Sequence, residues 1–92
     1  METQRVGWAV VVADNVRQYT PEPTPPVRGY HAARERARHA NAARWQSLCW
    51  AYRVLRTVDG ERADNIRRHC VTAWGMTPQN KWQARNTAHG LR

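Results

Sequence analysis

Two cysteines, four histidines and a run of arginines are the side chains in this 92-residue chain best equipped for chemistry. Cys49 and Cys70, with His69 next to the second, suggest three uses: paired core thiols, a redox-sensitive disulfide, or part of a metal site. Zinc needs further ligands at suitable spacing. On a helix His69 points about 100° away from Cys70, and His31 and His39 lie far upstream. Core thiols are therefore favoured, with no metal and no cofactor expected. A Cys–His nucleophile is disfavoured too, because a thiol buried on an apolar seam stays protonated. The carboxylates are scattered and the glycines form no phosphate-binding loop. No catalytic residues and no small-molecule substrate are expected, so the chain reads as a binding protein rather than an enzyme.

The segment most suited to binding is His31-Ala-Ala-Arg-Glu-Arg-Ala-Arg-His-Ala-Asn-Ala-Ala-Arg-Trp45. Arg34 and Arg38 stand four residues apart on one helical face, which Asn41 and Trp45 continue. Guanidinium groups on a helix can meet phosphates and base edges in a nucleic-acid groove. The expected contact residues are Arg34, Arg36, Arg38, Asn41 and Arg44, with Lys81 and Arg85 from the C-terminal segment. The bland alternative is a solvated basic face that aids solubility.

This stretch resembles the arginine-rich RNA-binding helix of lambdoid phage N antiterminators, which also joins Arg-Glu-Arg to a downstream Trp. The likeness covers residues 34–45, and it implies RNA as the partner. Residues 61–85 also resemble a helix-turn-helix, with Gly75 at the turn and Thr77-Pro78-Gln79 opening the second helix. Val71 in place of a small residue and Lys81 in place of a buried aliphatic depart from that pattern.

Charge points the same way. The net charge is +8, and residues 28–92 hold twelve Arg and Lys81 against Glu35, Asp59, Glu61 and Asp64. Residues 1–27 are slightly acidic, so the whole excess lies in the second part. Such a domain attracts RNA, DNA or an acidic protein surface. A protein partner is the rival expectation: a phage or mobile-element protein that inhibits or redirects a host protein or nucleoprotein machine, as anti-CRISPR proteins and polymerase-binding factors do. The run Val6–Ala13 is at the short limit for a signal-peptide core, and Glu2 offsets the lone Arg5 before it. With no apolar run of about 18 residues, no membrane is expected and the chain reads as cytoplasmic.

These side chains need elements to hold them. The length suits a single domain, residues 1–92, and the periodicity predicts an all-α bundle. Residues 4–19 carry Val6, Ala9, Val10, Ala13 and Val16 on one helical face, with Gln4, Gly7, Val11, Asp14, Asn15 and Gln18 on the other. The β-branched run would also suit a strand, but no second strand-like run exists to pair with it, so helix is favoured. Residues 20–27, with four prolines, form an extended strap.

Residues 28–92 form the basic helical core. A long central helix runs over about 28–58, with Tyr30, Ala33, Ala37, Ala40, Leu48, Ala51, Leu55 and Val58 along one stripe. Asp59-Gly60 turns the chain, and a helix over 61–74 stops at Gly75. Thr77-Pro78 opens a short C-terminal helix reaching His89. A turn at 59–60 sets Trp45 against Trp74, Leu48 against Val71, Cys49 against Cys70, and Tyr52 near Ile66.

Overall fold

The long helix is bounded by backbone chemistry at its start and by a tight turn at its end. In the computed structural model, which describes residues 2–23 and 28–78, Gly29 adopts φ 72° and leads into α2, Tyr30–Leu55. That left-handed conformation suits a residue without Cβ. At the other end the Asp59 amide bonds to Leu55 O at 2.7 Å. Asp59 then caps α3, Gly60–His69, its side chain accepting from the Arg62 amide. Carboxylates favour this position because they satisfy an orphan N–H and complement the helix dipole.

The chain begins with α1, Glu2–Asp14, followed by a 3-10 turn over Val16–Tyr19. The helical reading of this segment holds, and among the described residues there is no strand. The core is Ala9, Val12 and Ala13 from α1, Trp45, Leu48, Cys49, Ala51 and Leu55 from α2, Ala63 and Ile66 from α3, and Cys70 beyond it. Full burial of side chains such as Leu48, Leu55 and Ile66 stabilises by about 1.5–3 kcal/mol each.

The helical hairpin forms as the pattern indicates, with two corrections. Trp45 and Trp74 meet at 5.5 Å between ring centroids, and Cys49 and Cys70 are both buried. The 61–74 helix, however, is α-helical only to His69 and widens into a π turn over Cys70–Trp74. Val71 is 47% exposed instead of packing on Leu48, because at about 100° per residue it lies about 80° from Ala63 and about 140° from Ile66, off the buried face. Gly75, at φ 68°, closes the turn with its amide on Val71 O, and the Met76 amide reaches Cys70 O. Both bonds reach one residue further back than in the usual glycine-terminated helix, as a widened turn requires. The second correction is Val58, which is 61% exposed because α2 ends at Leu55 and not at residue 58.

Arg62 ties α1 to the hairpin. Its Nε and Nη2 donate to the two carboxylate oxygens of Asp14 at 2.9 and 3.3 Å, while Nη1 donates to Asp59 Oδ2 at 2.7 Å. These two carboxylates raise the Arg62 pKa, and Arg62 in turn holds the Asp59 carboxyl below its ordinary value. Lower down, the Trp74 indole N–H donates to Tyr19 O at 3.0 Å. Thr20 then extends with φ −76° and ψ 153°, the polyproline geometry expected at the head of the strap. The remainder of the strap, 24–27, and the predicted C-terminal helix beyond Pro78 lie outside the described residues.

Candidate nucleic-acid interface

Helix α2 serves two purposes along its length. From Asn41 to Leu55 it supplies buried side chains to the core; from Tyr30 to Ala40 it contains no fully buried residue. Its hairpin partner reaches back to Trp74, opposite Trp45. The preceding turns carry Arg34, Arg36 and Arg38 against the single carboxylate Glu35.

The three arginines sit in different settings. Arg34 is half-buried, with its guanidinium carbon 5.5 Å from the Tyr30 ring centroid. That cation–π contact holds the side chain along the helix while leaving its N–H groups available. Arg38 is exposed and reaches Glu35 Oε1 at 3.3 Å, and His39 Nε2 lies 3.1 Å from the same oxygen. Arg36 is exposed and makes no ion pair among the described residues. At about 100° per residue, Arg34 and Arg38 lie about 40° apart, and Arg36 lies about 200° from Arg38. The cations therefore flank the helix on two sides, which suits a helix lying between two phosphate walls better than one lying on a flat surface.

Asn41 and Arg44 have a different duty from the one their spacing suggested. Asn41 is 2% exposed, and its Oδ1 accepts from the Glu22 backbone N–H. It does not project from an open face. Arg44 is half-buried, with Nη2 donating to Glu22 Oε1 at 2.7 Å. Together they clamp the strap across α2, one turn below the Trp pair. The sequence held one signal for this: Asn41 follows the inward stripe, where a polar residue needs a backbone partner. Lys81 and Arg85 lie outside the described residues.

The cysteine pair is part of the core. Burial, with Cys49 adding to it, pushes the Cys70 thiol up to about 12, so the thiolate needed for nucleophilic or metal chemistry is strongly disfavoured. Among the described residues no cluster of three His, Cys, Asp or Glu side chains could hold a metal ion, and no helix is long and apolar enough to cross a membrane. Comparison with known proteins adds no relative: no protein-family model, curated protein or solved structure matches the chain.

Proposed function

We propose that this protein binds nucleic acid through the N-terminal half of α2, with Arg34, Arg36 and Arg38 contacting phosphates on either side of the helix. The observation that supports this most is the stretch from Tyr30 to Ala40, which extends past the hairpin and carries three arginines for one carboxylate. Asn41 and Arg44 act one step back, fixing the strap at Glu22. RNA is favoured by the resemblance of residues 34–45 to an arginine-rich RNA-binding helix.

Salt titration with RNA hairpin and duplex DNA probes tests the reading. Each phosphate contact releases counterions, so log K should fall with log salt by about 0.7–0.9 per contact. Replacing Arg34 and Arg38 with Ala should lower the slope by about 1–2 units and leave circular dichroism unchanged, since Ala suits a helix. Failure to bind any probe tighter than about 10 μM at physiological salt would favour the rival reading, a modulator that docks on a host protein.

A further inference from the structure

At the opposite end of α2 lies a second basic feature, and it differs in kind. Arg5 and Val6 of α1 face Arg53 and Val54 of α2, and Thr57 and Val58 follow, around a cleft of about 350 Å³. This is at the small end for ligand sites, which span about 300–1,000 Å³. It accommodates one or two side chains. Val6, Val54 and Val58 supply apolar surface, and Val58 is 61% exposed. Neither Arg5 nor Arg53 makes an ion pair among the described residues, and Arg56, exposed one turn on from Arg53, makes none either. Arg53 is half-buried and leans on the negative end of the α2 dipole. Arg34 and Arg53 are 19 positions apart on one helix, about 28 Å at 1.5 Å per residue. The cleft is thus well separated from the proposed nucleic-acid surface.

Charge complementarity identifies the occupant. Two guanidinium groups that make no ion pair among the described residues stand beside three valines and fit carboxylates next to an aliphatic side chain. A second copy of this chain is a poor occupant, because each copy carries a net charge of +8. A nucleobase is poorly served as well, since valines give no aromatic face for stacking. We infer that this cleft docks an acidic, aliphatic segment of a partner protein, with its aliphatic side chain against Val6, Val54 and Val58 and its carboxylates on Arg5 and Arg53. The inference is independent of the nucleic-acid reading, and each can fail alone.

A short labelled peptide alternating Glu and Leu, titrated into the full chain by fluorescence anisotropy, tests it. Matched peptides alternating Glu with Ser and Lys with Leu serve as controls. The Glu–Leu peptide should bind best, and R5E combined with R53E should weaken it by about tenfold. V58D, at an exposed position, should weaken it with unchanged circular dichroism. R36E, which removes the same charge at the far end of α2, should leave it unaltered. Equal binding of the Glu–Ser peptide, or equal weakening by R36E, would reduce the effect to the overall charge of the chain and overturn the inference. Displacement of the peptide by single-stranded RNA in wild type and R36E alike would overturn it as well, making the cleft a nucleic-acid surface. Absence of Glu–Leu binding at low salt would also reject it.

Discussion

Arg44 and Glu22 are separated by 22 positions in sequence, yet Arg44 Nη2 donates to Glu22 Oε1 at 2.7 Å. The Glu22 amide meanwhile donates to Asn41 Oδ1, so one strap residue is gripped through both its side chain and its backbone. Asn41→Ala should cost about 1–3 kcal/mol, because it leaves the Glu22 N–H with no acceptor. Arg44→Ala should cost less, about 0.5–1 kcal/mol, since the ion pair is partly solvated. Urea denaturation of both variants checks this. Unchanged midpoints would remove the strap-clamp role of these residues.

Acid should weaken the fold through the α3 carboxylates. Arg62 holds the Asp59 carboxyl below its ordinary value, and Arg67, followed by the charge of Arg68, does the same for Asp64. A depressed carboxylate pKa contributes stability that is fully present above the unfolded-state value, about 3.9. That contribution is lost as pH falls through the lower folded-state value. The melting temperature should therefore drop below about pH 4. Asp59→Asn keeps a capping oxygen but removes the titration, so its melting profile should be flatter in this range. An identical pH profile for the variant would contradict the assignment.

Both thiols should resist modification in the native protein. Cys70 is 0% exposed and Cys49 3%, and the Cys70 thiol is pushed up to about 12. Ellman's reagent at pH 8 should react only after unfolding in denaturant. Changing both cysteines to Ala should cost about 1–3 kcal/mol in packing and leave nucleic-acid binding intact. Rapid labelling of the native protein would show that the seam opens readily.

Gly75 provides a test of the π turn. It sits at φ 68°, and a Cβ there would meet nothing within 4 Å. Any cost of Gly75→Ala is therefore backbone strain, about 1–2 kcal/mol, and Gly75→Asn should cost less because Asn tolerates this region. Thermal melts of the two variants should rank in that order.

The fold was legible where periodicity and caps agreed. Asp59-Gly60 as a turn, Gly75 as a stop and the Trp45–Trp74 pairing all follow from sequence patterns; the capping role of Asp59 emerges in the structure. Val71 and Val58 fall outside the core because Val71 lies off the face shared by Ala63, Ile66 and Cys70, and because α2 ends at Leu55; pairing positions across the turn registers neither. The candidate site was legible as charge but not as duty. Arg34, Arg36, Arg38 and Arg44 look alike in sequence, and among the described residues only Arg44 of these finds a remote carboxylate, brought to it by the strap. The cleft at Arg5 and Arg53 joins residues 48 positions apart, a juxtaposition that no local pattern encodes.

The Arg62 clamp also sets a timetable for synthesis. Arg62 holds Asp59, three positions away, and Asp14, 48 positions away. The near partner is available as soon as the hairpin turns. The far one is made earlier, because α1 leaves the ribosome before α2 and α3, the helices it packs against. About 41 residues separate Asp14 from Leu55, the end of α2, which at about 5–20 residues per second means about 2–8 s of delay. An isolated helix of this length is marginal in water. The nascent α1 segment therefore spends those seconds as a fluctuating, apolar stretch, open to a chaperone until α2 covers it.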